Sequence, residues 1–283
     1  MNRGIGVMIA ATFVFAVQDG ISRYLADAYS VWLVVMIRYW FFAAFVIALA
    51  ARQPGGLRVA TRSNVPLLQI TRGLLLAGEI CVMVTAFVML GLAASHAIFA
   101  IYPLLITAFA GPVLGERAGW RRWAAIAVGF AGVLIILRPG AEAISPGAFV
   151  AMASAAMFAV YGLLTRLVSR HDPVSVSFFW TGVAGAVLTT AIGIWHWEVM
   201  RPDHYAWMAV LCVTGAAGHW LLIRAYDLSD ASDVQPFAYL QLVFATAIGV
   251  TVFGEVLVWP LLFGGVLIVG AGIFTIRRQA RVG

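Results

Sequence analysis

Ten runs of about 20 mostly apolar residues, parted by short polar, glycine or proline breaks, account for nearly all of this chain. They lie roughly at Gly4–Ala26, Ser30–Ala51, Val65–Leu90, Ser95–Leu114, Trp120–Leu137, Pro146–Val168, Val174–Ile194, His204–Tyr226, Val234–Phe253 and Val256–Ile276. Each is long enough to cross a bilayer core as a helix, the one open-ended structure that satisfies its own backbone there. A water-soluble chain of 283 residues would need a charged skin, yet 63% of these residues are hydrophobic and 11% charged. The expected fold is therefore an all-α polytopic membrane protein, with only short connections and no separate soluble domain to house catalysis. Met1 to Arg23 loosely mimics a signal peptide but lacks a small-x-small cleavage site, so it reads as the first helix.

The net charge of +6 does not point to nucleic acid, because all 18 basic residues are arginine and most fall in the breaks between runs. Cytoplasmic loops are enriched in basic residues. Placing both termini inside puts Arg3, Arg52, Arg58, Arg62, Arg117, Arg121, Arg122, Arg166, Arg170, Arg277, Arg278 and Arg281 on the cytoplasmic side. Only Arg138 and Arg201 are then left to the outer loops.

The chain also resembles itself. Phe15-Ala16-Val17 followed by Arg23 recurs as Phe158-Ala159-Val160 followed by Arg166, and Leu114-Gly115-Glu116 recurs as Phe253-Gly254-Glu255. The spacings divide the chain into two five-helix repeats, 1–138 and 139–283. Five is odd, so the second repeat enters the membrane from the opposite side, which makes an inverted repeat.

Ten helices in two repeats, Arg38 early in the second helix, Tyr102-Pro103 in the fourth and the Leu-Gly-Glu-Arg turn at 114–117 resemble the EamA group of the drug/metabolite transporter superfamily. The second half departs from that pattern, with Leu242 in place of Pro103 and Thr181 in place of Arg38. The resemblance implies a bacterial inner-membrane exporter of amino acids, related metabolites or drugs.

Inverted-repeat transporters hold their solute near the midplane between the repeats. Polar residues at equivalent positions of both halves are thus the first candidates to line a cavity. They pair Gln18 with Tyr161, Tyr102 with Gln241, and His96 with Gln235, the last pair close to helix starts where capping is the plainer role. Buried Tyr and Gln also serve to bond neighbouring helices. Charge inside a membrane demands a role. Glu79, mid-way along the third helix, suits a substrate ammonium, a cationic drug or a proton; its structural alternative is a partner for Arg72, two turns earlier. Asp19 and Arg38 sit at similar depth, either as a salt bridge locking two helices or with Arg38 offering its fork to a substrate carboxylate. Trp180, His219, Trp220 and Tyr239 supply aromatic surface for a cavity wall, or for packing and interfacial anchoring. Trp195, Trp197, Trp207 and Trp120 read as belt residues.

Cys81 and Cys212 lack metal or redox spacing and read as free thiols. No phosphate-binding loop or HExxH helix is present, so neither ATP hydrolysis nor a metal or other cofactor is expected. A membrane enzyme would have to rely on His196, Glu198 and His204 in an outer loop. The glycines at 111, 115, 119, 264, 265, 270 and 272 permit close helix contacts, within a monomer or across a homodimer. The expected function is alternating access, the halves rocking about a central cavity to export an amino acid or similar small molecule through the lipid bilayer. An exporter of lipophilic cations is the alternative, and it would need Glu79 but not Arg38.

Overall fold

A computed structural model describes residues 3–114, 120–137, 145–168, 170–228, 237 and 239–282. All regular structure among the described residues is helical: α1 (Arg3–Ala26), α2 (Val31–Arg52), α3 (Gly56–Thr61), α4 (Pro66–Leu90), α5 (Leu92–Phe99), α6 (Tyr102–Leu114), α7 (Trp120–Leu137), α8 (Pro146–Val168), α9 (Val174–Gly193), α10 (Pro202–Leu228), α11 (Leu240–Phe253) and α12 (Trp259–Val282). Six of these segments are long and apolar enough to span a membrane, within α1, α2, α4, α8, α9 and α10, and shorter apolar helices follow. Proline opens α4, α8 and α10, where its missing N–H would have had no partner. Leu67, Phe149, Val187 and Val266 point outward, an apolar exterior suited to lipid.

The fourth run is not one helix. It begins three residues earlier than expected, at Leu92, and breaks at Ala100–Ile101. Pro103 offers no N–H to the carbonyl of Phe99, and the chain tightens through Ile101 N–H to Ile98 O (3.2 Å) and Leu104 N–H to Ile101 O (2.9 Å). The short α3 is also unexpected, and α12 starts later than its apolar run. The 115–119 turn with Glu116 and Arg117, and Gln235, lie outside the described residues.

The most extensive packing joins the two halves of the chain to each other. α1 packs on α10 and α11, while α8 packs on α4, α5 and α6; α2 pairs with α9, and α7 with α12. Exchanging each helix of one half for its counterpart in the other leaves this list unchanged. Two polar staples obey the same exchange. Tyr29, after α1, accepts hydrogen bonds from Arg201 N–H (2.8 Å) and contacts His204 Nδ1 (2.9 Å) at the start of α10. Asp172, after α8, accepts from Ser63 Oγ, Asn64 N–H (2.8 Å) and Gln69 Nε2 (2.9 Å) around the start of α4.

Asp172 is buried, which alone would raise its pKa, but these hydrogen bonds outweigh that and hold it below its ordinary 3.8. A carboxyl whose folded pKa is depressed stabilises the fold above its unfolded pKa and loses that contribution as pH falls through the folded value. Asp172→Asn is accordingly expected to melt earlier than the parent at pH 7. The gap should narrow only once the pH drops below the ordinary carboxylate range, as thermal melts over a pH series will record.

α7 and α12 cross backbone to backbone: a Cβ on Gly132 would lie 2.7 Å from the carbonyl oxygen of Gly264. Without a hydrophobic force between helices in lipid, such close approach is a main source of their attraction. Gly264 is thereby engaged within the chain. Gly132→Leu should push the pair apart and lower the yield of monodisperse protein in detergent gel filtration, whereas Gly270→Leu, with open space around its Cβ, should not.

Candidate functional site

Arg38, about two turns into α2, is 7% exposed and has neither an ion pair nor a hydrogen bond among the described residues. The expected Asp19–Arg38 bridge is not formed. Arg38 instead faces a cavity of about 10 Å³, lined also by Tyr39, Phe42, Ile80, Cys212 and His219. That is room for about one water. Gly215 of α10 leaves the gap: a Cβ there would lie 3.1 Å from Arg38 Nε and 3.3 Å from Gln18 Oε1. The Gln18 oxygen is itself buried without a partner. A guanidinium and an amide oxygen thus converge beside Gly215, although an unsatisfied buried polar group is costly. His219 stacks on Phe42 (centroids 5.7 Å apart, planes 12°) and closes the other wall.

A second arginine sets this apart. Arg72 is 2% exposed and donates to Tyr161 Oη (3.2 Å), Thr165 Oγ1 (3.3 Å), Gln69 Oε1 (3.1 Å), Ser177 O (2.5 Å) and Thr181 Oγ1 (2.7 Å). Thr181 follows Arg38 at the same sequence spacing as Gly215 follows Arg72. The chain therefore places one arginine at each of two related positions. One donates five hydrogen bonds between α4, α8 and α9 through its two terminal nitrogens; the other is left open to a cavity.

Glu79 does not pair with Arg72, whose donors are turned to α8 and α9. Buried at 3% exposure, it accepts a hydrogen bond from Ser154 Oγ (2.6 Å) of α8, and the charges of Asp19 and Arg38 both act on it. Asp19 meets α5 and α11: His96 Nε2 lies 3.1 Å from its Oδ2, to which Gln241 Nε2 also donates (2.9 Å). His96, for which capping was the plainer role, is 3% exposed and stacked on Phe87. The sequence misplaced it because its helix starts at Leu92 rather than Ser95.

Neither Tyr102 nor Tyr161 lines the cavity at Arg38. Together with Phe99 and Phe158 they form an aromatic row, with Phe99 centroids 5.0 Å from Tyr102 and 5.2 Å from Phe158, and Tyr161 5.6 Å from Phe158. The row runs from beside His96 to Arg72, whose guanidinium lies 5.4 Å from the Tyr161 centroid. The remaining aromatic candidates are dispersed. Trp220 is 52% exposed, Trp180 packs edge-on against Phe179, and Tyr239 belongs to a cluster with Leu104, Val133 and Ile268. Trp195, Trp197 and Trp207 are exposed, as belt residues would be. The loop histidines do not assemble a centre: His204 is buried against Tyr29 and Tyr24, while the exposed His196 bonds its own helix.

One feature had no signal in the sequence beyond the repeated Gly-Glu. Glu255, in the α11–α12 turn, accepts from Leu92 N–H (2.6 Å) and Ala93 N–H (2.9 Å) at the start of α5, and pairs with Arg23 of α1. Arg23 stacks over Phe253, 4.1 Å from its centroid, rather than reaching for the surface alone. Gly91 permits the arrangement: its φ is +92°, and a Cβ would lie 2.7 Å from Glu255 Oε1.

Comparison with known proteins agrees with this architecture. The chain is 23% identical over 281 residues to the S-adenosylmethionine uptake transporter of Rickettsia prowazekii (strain Madrid E), covering 98% of this chain and 94% of that one. It is 28% identical over 278 residues to the riboflavin transporter of Rhizobium johnstonii, covering 94% and 90%. It is also 26% identical over 283 residues to the pseudopaline exporter of Pseudomonas aeruginosa, covering 99% and 98%. A solved crystal structure matches its fold with a TM-score of 0.64, at 22% identity and 98% coverage of both chains. The model of the EamA-like transporter family matches residues 2–138 and again 145–277. The chain is a multi-span integral membrane protein and belongs to the EamA-like transporter family.

Proposed function

We propose that this chain carries an amino acid, or a metabolite derived from one, across the bacterial inner membrane by alternating access, with Arg38 receiving the cargo's carboxylate. The observation that carries the reading is the buried Arg38 without a partner, facing a cavity beside the unpaired oxygen of Gln18. Glu79 is the complementary group for an ammonium, and the row Phe99, Tyr102, Phe158 and Tyr161 is suited to an apolar portion. S-adenosylmethionine, named for one set of relatives, is itself an amino acid. A cavity of about 10 Å³ cannot admit such a cargo, so binding requires helices to part.

We read the chain as ten spans in two inverted repeats, 1–138 and 139–283, with both termini cytoplasmic and the α1–α2 turn outside. The double match to the family model, the packing pattern preserved on exchange of halves and the paired staples at Tyr29 and Asp172 support this. Packing joins α1 to α10 and α11, and α8 to α4, α5 and α6, while α5 also packs on α11 and α4 on α9. Counterflow in liposomes tests the function, with purified protein, internal unlabelled probe and external labelled S-adenosylmethionine, methionine or riboflavin in turn. Saturable exchange of S-adenosylmethionine or methionine is expected. Exchange of riboflavin alone, or of none, would sink the amino-acid reading. The buried Glu79 favours a second one, export of lipophilic cations, which predicts that Glu79→Gln abolishes transport while Arg38→Gln does not.

A further inference from the structure

Gln18 of α1 is 4% exposed, and its Nε2 donates to Asp19 Oδ1 (3.5 Å), which leaves Oε1 as the atom presented to α10. That oxygen and Arg38 Nε of α2 lie 3.3 and 3.1 Å from the place a Cβ would take on Gly215, so no more than the sum of those distances separates them. Neither atom has a hydrogen-bond partner among the described residues. The other buried arginine is treated differently. Arg72 is met by an amide oxygen and a hydroxyl of the protein, Gln69 Oε1 (3.1 Å) and Thr181 Oγ1 (2.7 Å). At Arg38 the amide oxygen stands off and Gly215 supplies no hydroxyl. A guanidinium buried without a partner is expensive, so the arrangement is built for one that the chain does not itself contain.

That partner must bring an acceptor for Arg38 and a donor for Gln18 within one short span. A carboxylate alone would meet the lone pairs of the Gln18 oxygen, and an ammonium alone would meet the charge of Arg38. An α-amino acid carries both groups on one carbon, acceptor and donor side by side. We propose that Gln18, Arg38 and Gly215 form the head-group site for a free α-amino acid. Arg38 binds the carboxylate, Gln18 Oε1 accepts from the α-ammonium, and the α-carbon comes to rest against Gly215. The helices part to admit it, and Tyr39, Phe42 and Ile80 are the walls its side chain meets. Glu79, bonded to Ser154, is then left to a positive charge elsewhere on the cargo.

The inference rests on the amino-acid reading above, and its test separates the two. Affinities are read from ligand-dependent shifts in the melting temperature of the purified full chain. The probes are methionine, 4-(methylthio)butanoate, which lacks only the α-ammonium, and methioninamide, which lacks the carboxylate. The parent should bind methionine at least about tenfold more tightly than either analogue. Gln18→Leu should abolish the preference over 4-(methylthio)butanoate and keep that over methioninamide, and Gly215→Ala should weaken methionine by about tenfold or more. Loss of the first preference in Glu79→Gln rather than in Gln18→Leu moves the ammonium to Glu79 and overturns the site. Equal binding of all three probes by the parent also overturns it, leaving the gap to a bridging water. A parent that binds none of them, nor S-adenosylmethionine, refutes the amino-acid reading and this site with it. A second comparison needs no ligand. Gly215→Ser offers Arg38 the hydroxyl that Thr181 offers Arg72, so it should melt above Gly215→Ala, and the difference should vanish in an Arg38→Leu background. Equal melting of the two with Arg38 in place overturns the convergence on Gly215, whatever the cargo.

Discussion

Arg38→Gln is expected to leave the protein folded and to lower kcat/KM for a carboxylate-bearing cargo by about 150-fold, corresponding to about 3 kcal/mol. Nothing in the fold depends on Arg38, which makes no hydrogen bond among the described residues, so its loss removes a docking group and leaves no protein partner stranded. Arg72→Gln should do the reverse. It deletes five hydrogen bonds that tie α4 to α8 and α9, at roughly 1 kcal/mol for each. Thermal melts beside counterflow kinetics separate the two. An Arg38 variant that melts early, or an Arg72 variant of normal stability with impaired exchange, would reverse the assignment.

Glu255→Ala is expected to destabilise the chain by about 3–5 kcal/mol, since it strands the largely buried Arg23 together with the first N–H groups of α5. At about 2–4 °C per kcal/mol for a chain of this size, the melting temperature should fall by roughly 10 °C. Cys81 and Cys212, both buried, report the melt through a thiol-reactive dye. Arg23→Ala should show part of the loss, and the double variant less than the sum, because both changes remove the same link. Additive losses would mean that the α5 N-terminus, not Arg23, is what Glu255 holds.

The helices were legible because lipid enforces a simple rule: an apolar stretch of sufficient length is a helix, and breaks are polar or contain proline. Seven helices match their apolar runs to within two residues at each end. The exceptions have local chemistry that the runs conceal, as at Pro103, where the fourth run continues in hydrophobicity but not in hydrogen bonding. The site was legible in its inventory and not in its pairings. Arg38, Glu79, Asp19 and Gln18 stand out as polar groups in apolar runs. Which of them meet depends on helix rotation and on partners more than half the chain away. Asp19 and Arg38 share a depth, yet Asp19 turns to α5 and α11. Glu79 and Arg72 share a helical face, yet Ser154 and Thr181 draw them apart. Glu255 was visible only as half of a repeated dipeptide.

The pairing of α1 with α10, and of α4 with α8, also sets the order of events during synthesis. α1, made first, has its principal partner in α10, and α4 awaits α8. Until then Asp19 and Arg38 stand in lipid or at its border without the neighbours that close around them. Maturation of this transporter is therefore expected to be a late, collective step. A chain cut between residues 138 and 145 should yield fragments that are unstable apart and become functional only when made together.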